Sequence, residues 1–353
     1  MESVTSQVIM RGAMHCRVAV AIFVMLLVGA WAAMNPARGA EARREVGKPP
    51  LTVFAEVALP GPANRFDYQS RDPRTHRLYI AHLAASSVVV FDIETKKVVG
   101  EIQQVSQVHG VLAVPELNKV YASATGSNEI VVIDGVTLKI VARVPSGAYP
   151  DGLAYAPEAR KVYVSDQRGR TETVIDAQTD KRIATIALEG EAGNSQYDSN
   201  TKHVFVNVQT RNEIAEIDPA TDKIVARHPL ATQCRNHGLL IEPTQRLAFI
   251  ACEDNAKLLI FDMQAKKVIA SHAVGDDPDV LAFDSGINRL YVAAESGIVS
   301  VFRLDGRSLT KLGEGNLASN AHTVAVDSES HLVYFPLESV NGRPMLRIMS
   351  PAQ

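Results

Sequence analysis

The sequence is short of cysteine, of charge of one sign and of long apolar runs, and each shortage closes off a class of function. Three cysteines stand among 353 residues. None belongs to a Cys-x-x-Cys-His signal, which excludes covalent c-type haem attachment. A Gly-x-Ser-x-Gly elbow is also absent, removing the nucleophile turn of α/β-hydrolases. Lys and Arg number 36 against 39 Asp and Glu, for a net charge of -3, and no Lys/Arg cluster stands out. A phosphate backbone has no basic face to meet, so nucleic acid is not an expected partner. No Ser/Gly-rich or low-complexity linker divides the chain after residue 50, as expected of one folded domain.

One apolar run exists, Val18 to Trp31, and it is shorter than the ~18 to 20 residues that a spanning helix needs. Arg11, His15 and Arg17 precede it, and Ala40-Glu41-Ala42 offers the small residues that a signal peptidase requires. The pattern predicts a signal peptide over residues 1–42, a polar leader over 43–50, and a periplasmic or secreted mature protein with no stable membrane span. Cys16 lies before the run and is not a lipoprotein cysteine. Cys234 and Cys252 remain after export. If the strands around them pair through the turn from Glu242 to Gln245, Cys252 falls opposite residue 236, near enough to Cys234 for a disulfide, with two half-buried thiols as the alternative.

What the sequence has is a repeat. The stretch from His109 to Val144 alternates polar and apolar residues over four short strands, Val111–Val114, Lys119–Ser123, Glu129–Asp134 and Leu138–Val144, parted by turn residues. The aromatic residue of its second strand recurs as Tyr79, Tyr121, Tyr163, Phe205, Phe249, Tyr291 and Tyr334, at steps of 42, 42, 42, 44, 42 and 43 residues. An aspartate ends the third strand at Asp92, Asp134, Asp176, Asp218 and Asp262. Four strands per repeat of this length mark propeller blades, and seven aromatics mean seven. A lone four-stranded sheet cannot bury both of its faces, so the blades must pack against one another. The expected fold is all-β, a seven-bladed propeller of four-stranded antiparallel blades over residues 51–353. The last repeat supplies only three strands, His322–Asp327, His331–Pro336 and Pro344–Ser350. The unpartnered segment Leu51–Val57 is therefore expected to complete that blade and close the ring.

The repeats Leu78-Tyr-Ile-Ala, Val162-Tyr-Val-Ser and Leu290-Tyr-Val-Ala, each leading to a third strand such as Val-Val-Phe-Asp, resemble the YVTN-repeat family of periplasmic β-propellers, which includes YncE-like proteins. The likeness runs from residue 51 to the end. It implies the fold and export. Members of that family and of neighbouring propeller families include binding proteins, lactonases, lyases and electron-transfer enzymes, so the resemblance selects no single activity.

Counting back twelve residues from each blade aromatic gives Asp67, His109, Asp151, Gly193, His237, Asp279 and His322. These positions enter the innermost strand and form a ring at one mouth of the channel. Asn194 follows the one gap and could point inward from a small bulge. Asp at a strand entry often only caps backbone groups, and His-Asp pairs can satisfy each other. Histidine has no such turn preference, so the three imidazoles point to binding. His109, His237 and His322 are the expected ligands of a divalent ion, Zn, Cu or Mn, with an Asp completing or orienting the set. The alternative occupant is a small polar organic ligand. The loops between second and third strands add His82, Asp166, Gln167, Gln209, Glu253, Asp254, Glu295 and Glu338 at this face. Arg168, Arg170 and Arg211 there suggest an anion-binding sector. The hairpins at the other face, and His76, His203, His228 and His331, read as scaffold. Three functions follow: an exported protein binding a metal or polar ligand at the ring; a metal-dependent hydrolase, lactonase or lyase using it; or a scaffold for protein partners.

Overall fold

The computed structural model describes residues 47–352, so the expected signal peptide lies outside the described residues. Blade 1 comprises Gln69–Asp72, Arg77–His82, Ser87–Asp92 and Lys97–Ile102. Blade 2 comprises Val108–Val114, Lys119–Ala124, Glu129–Asp134 and Ile140–Pro145. Blades 3, 4, 5 and 6 begin with inner strands Pro150–Ala156, Ala192–Asp198, Asn236–Glu242 and Pro278–Asp284. Each sheet is a four-stranded antiparallel meander. Blade 7 joins Ala325–Asp327, Leu332–Val340 and Arg343–Pro351 to Leu51–Ala58, which is its outermost strand. Leu51 lies opposite Pro351 and Ala58 opposite Met345.

The core lies between blades. Among the described residues it divides into seven apolar clusters, each shared by two neighbouring blades. One holds Leu78 and Ile80 of blade 1 against Tyr334 and Ile348 of blade 7. The repeating aromatics are all buried. Three of them also tie each blade to the next: the Tyr79 hydroxyl donates to Gly135 O at 3.3 Å, Tyr121 to Asp180 Oδ1 at 3.0 Å and Tyr163 to Asp222 Oδ1 at 2.6 Å.

The repeating aspartates close the outer hairpins. Asp134 Oδ1 accepts from the backbone N–H of Val136 and Thr137, Asp92, Asp176 and Asp262 accept two such bonds likewise, and Asp218 accepts one, from Ala220. These bonds favour the carboxylate and pull Asp134, Asp176 and Asp92 below the usual range. The turn after Asp134 is longer than its Asp-Gly pair predicts. Leu138 sits in it with φ +60°, so the fourth strand starts at Ile140. Residues 47–50, expected as leader, lie on the fold: Asn316 N donates to Gly47 O at 3.2 Å, and Ala352 N to Pro50 O at 3.0 Å. In blade 5 Cys252 pairs with Asn236, and Cys234 and Cys252 form a disulfide with Cα atoms 4.7 Å apart.

Candidate cation site at the channel mouth

The inner strands of blades 2 to 6 all lose register over the same two residues: His109-Gly110, Asp151-Gly152, Gly193-Asn194, His237-Gly238 and Asp279-Val280. A bulge turns each of these side chains out of the ladder. Neighbouring bulges crowd one another. A Cβ on Gly110 would stand 2.1 Å from Asp151 O, and one on Gly238 2.0 Å from Asp279 O, so only glycine fits after those ring residues. Two residues before the ring positions the backbone is left-handed, at Gln107 (φ +45°), Tyr149 (+61°), Arg235 (+46°), Asp277 (+57°) and Asn320 (+54°). That twist brings a carbonyl beneath the imidazole two residues on. Nδ1 of His109 lies 3.0 Å from Gln107 O, and Nδ1 of His322 lies 2.9 Å from Asn320 O. With Nδ1–H donating to a carbonyl, Nε2 of each ring carries a lone pair.

Among the described residues His322 Nε2 is buried without a hydrogen-bond partner, and so is Oδ1 of Asp67, 4.0 Å away. Asp279 Oδ2 stands 3.9 Å from the same nitrogen. Ligand atoms of Asp67, Asp279 and His322 all lie within 4.8 Å of one another, and the three residues are buried. Burial, with repulsion from Asp279, Asp151 and Glu295, raises the Asp67 pKa well above the usual carboxylate range despite the nearby Arg65 guanidinium. A cation among these atoms would relieve that repulsion.

The other two histidines are engaged elsewhere. His109 Nε2 accepts from the Tyr149 hydroxyl at 3.0 Å. His237 meets the Gln209 amide at Nδ1 and the Tyr68 hydroxyl at Nε2, the latter at 2.9 Å. Of the expected ligands His109, His237 and His322, only His322 stands in the group whose ligand atoms converge, with Asp67 and Asp279, while hydrogen bonds engage the other two imidazoles. Burial disfavours the His237 imidazolium, but the Asp279, Glu253, Asp151 and Glu295 carboxylates outweigh it and raise its pKa. The Tyr68 phenol is held neutral by burial and the same acidic surroundings. Its hydroxyl also lies 3.0 Å from Asn194 Oδ1 and 3.3 Å from Asp279 Oδ1. With the Gln209 amide N–H donating to Nδ1, His237 carries its proton on Nε2 and donates it to the phenol oxygen, whose single proton goes to Asn194 or Asp279.

Asp67, His109, Asp151, His237 and Asp279 line a cavity of about 510 Å³ together with Arg65, Gln107, Tyr149, Arg168, Glu253 and Glu295. Asn194 lines a lower chamber of about 210 Å³, and Tyr68 borders both spaces. Arg168 lies over the Tyr149 ring, 4.1 Å from its centroid. Arg211 lies outside the cavity lining, held by Glu213 at 2.8 Å, and Arg170 is an exposed turn residue outside it too, so the expected three-arginine sector does not assemble. His82 is buried and stacked on Phe66. A second cavity of about 540 Å³, between blades 3 and 4 at the other face, is lined by hairpin residues such as Asp218 and Pro219.

Sequence reasoning missed Arg65, Gln107, Tyr149 and Tyr68. The first three stand two residues before Asp67, His109 and Asp151, so the count that found the ring also reached them, two positions earlier. Tyr68 occupies the position after the ring residue, which in the other blades reads Gly110, Gly152, Asn194, Gly238, Val280 and Thr323. One large aromatic among small residues was the available signal.

No protein-family model and no curated protein matches the chain. Solved structures do. Hydrazine synthase of Kuenenia stuttgartiensis is similar with a TM-score of 0.69 at 16% identity, covering 85% of this chain and 98% of that one. Virginiamycin B lyase from Staphylococcus aureus is similar with a TM-score of 0.70 at 11% identity, covering 84% and 99%. The WD40 repeats of RRP9 give 0.71 at 9%, covering 85% and 99%. At these identities the likeness shows the propeller fold alone.

Proposed function

We propose that this chain is an exported propeller protein that binds one divalent cation through Asp67, Asp279 and His322 at the mouth of its channel. The observation that carries the reading is the convergence of two buried ligand atoms that have no partner among the described residues, Asp67 Oδ1 and His322 Nε2, beside Asp279 Oδ2. Buried polar atoms are ordinarily satisfied by a partner, and these converge: ligand atoms of the three residues lie within 4.8 Å of one another. Two carboxylates and one imidazole suit Mn or Zn better than Cu. The signal-like N-terminus and the Cys234–Cys252 disulfide support an oxidising, extracytoplasmic setting. The test is elemental analysis of protein purified without a His tag or chelator. Near-stoichiometric metal is expected in the wild type and its loss in His322→Ala and Asp279→Asn. A metal-free wild type whose unfolding temperature does not respond to added Mn or Zn sinks the reading.

A second reading, a metal-dependent hydrolase, lactonase or lyase, draws on the Tyr68–His237 pair beside the cation ligand Asp279. An imidazole with a raised pKa next to a Lewis acid is suited to proton transfer. One structural neighbour is a lyase, which lends that class weight only as a choice of first assay. If the reading holds, His237→Ala abolishes turnover while metal content stays unchanged.

A further inference from the structure

We propose that Arg168 is the anion-binding arm of the mouth cavity, and that the ligand is a small organic acid whose carboxylate meets Arg168 while a neighbouring oxygen meets the cation. The second half rests on the cation reading above; the first stands on its own geometry.

The Arg168 guanidinium lies on the Tyr149 ring, and among the described residues no carboxylate pairs with it, although Asp151, Glu253 and Glu295 line the same cavity. Stacking leaves the N–H edges of a guanidinium free for a planar carboxylate. The stack is held from both sides. The Tyr149 hydroxyl donates to His109 Nε2 at 3.0 Å, and His109 is fixed in turn by Gln107 O at 3.0 Å. Tyr149 N donates to Asn128 Oδ1 at 2.9 Å. The loop carrying Arg168 is fastened on each side of it, by Gln167 N to Tyr149 O at 2.9 Å and Gly169 N to Ala148 O at 2.8 Å. A chain of contacts thus runs from backbone through imidazole and phenol to the guanidinium. In this arrangement His109 and Tyr149 are positioning residues.

The cavity of about 510 Å³ fits a small molecule, and Asp67 and Asp279 line it along with Arg168. A 2-hydroxy acid carries a carboxylate for the arm and an adjacent oxygen for the cation. The probes are L-malate and succinate, which differ only by that hydroxyl, titrated calorimetrically into metal-free and Mn(II)-loaded full-length protein. Wild type is expected to bind malate, more tightly when Mn(II)-loaded, and succinate with no such gain. Arg168→Gln is expected to weaken malate binding at least tenfold at an unchanged unfolding temperature and unchanged Mn(II) affinity. Tyr149→Phe, which keeps the ring but frees it from His109, is expected to weaken it about threefold, a loss that a guanidinium held independently of Tyr149 would not show. Malate bound equally by wild type and Arg168→Gln overturns the arm, as does the absence of malate binding by a protein that does bind Mn(II). Failure of Mn(II) to bind, with Arg168-dependent malate binding retained, overturns the cation reading and leaves the arm standing.

Discussion

The hydroxyl of Tyr68, at the entrance to blade 1, lies 2.9 Å from Nε2 of His237 on blade 5, so one phenol links distant parts of the ring. It also reaches Asn194 on blade 4 and Asp279 on blade 6. Tyr68→Phe keeps the ring that separates the two cavities and removes only the oxygen. Buried partners left without a hydrogen bond are expected to lower stability by about 1 to 3 kcal/mol. Urea unfolding measures this, and a change below ~0.5 kcal/mol would show that the phenol acts only as a plug.

Asp67 is raised in the fold by burial and by neighbouring carboxylates. A raised folded pKa means that the native state holds its proton more tightly than the unfolded chain. Stability from this group is full below the unfolded carboxylate value and falls away as pH rises through the raised value. Cation binding has the opposite dependence, since the proton must leave, so affinity should climb with pH over the same range. Asp67→Asn removes the titration. At neutral pH its metal-free form should be at least as stable as wild type, while Mn(II) affinity falls. A variant clearly less stable than wild type at pH 7 would mean that the charged carboxylate is favoured in the fold.

The fold was legible because it rests on period-2 alternation and on one aromatic per blade, both local signals repeated seven times. The ring positions were legible by the same count. What the count lacked was the third dimension. Nothing in the spacing says that the backbone carbonyls of Gln107 and Asn320 fix His109 and His322 in one tautomer, or that Tyr149 then takes the His109 lone pair. For that reason the proposed cation set takes Asp67 and Asp279 beside His322 in place of His109 and His237. Arg168 and Arg211 read alike in sequence, yet Tyr149 holds the first over the cavity while Glu213 draws the second away.

Glu216, on blade 4, gathers three donors: His203 Nδ1 at 2.7 Å, His228 Nε2 at 2.7 Å and Lys266 Nζ at 2.9 Å. Burial opposes its charge, but these bonds win and hold its pKa at about 2. A depressed pKa gives stability that is present above the unfolded carboxylate value and lost as pH falls towards the folded one. Glu216→Gln is therefore expected to destabilise by about 2 to 3 kcal/mol at pH 6 and by progressively less towards pH 3. Equal losses at both pH values would place the effect in packing.

Residues 51–57 carry a prediction about the whole ring. Leu51 belongs to the apolar cluster between blades 6 and 7, while Ala55 and Val57 pack on the cluster between blades 7 and 1. The strand therefore supports blade 7 on both sides, besides covering the edge of Arg343–Pro351. Each buried apolar side chain contributes about 1.5 to 3 kcal/mol. Losing Leu51 and parts of Ala55 and Val57, with the ladder bonds, should lower the unfolding temperature by about 10 °C or more. A transposition separates loss of the strand from damage to the chain start. Because Leu51 lies opposite Pro351, residues 51–58 appended after Gln353 through a short turn can form an antiparallel hairpin with Arg343–Pro351 and refill the same edge. Recovery of most of the lost stability is expected. If the shortened chain melts like the full one, blade 7 is stable with three strands. If the transposed strand fails to rescue the loss, residues 51–57 act through their link to residues 47–50 on blade 6 instead of through the sheet they complete.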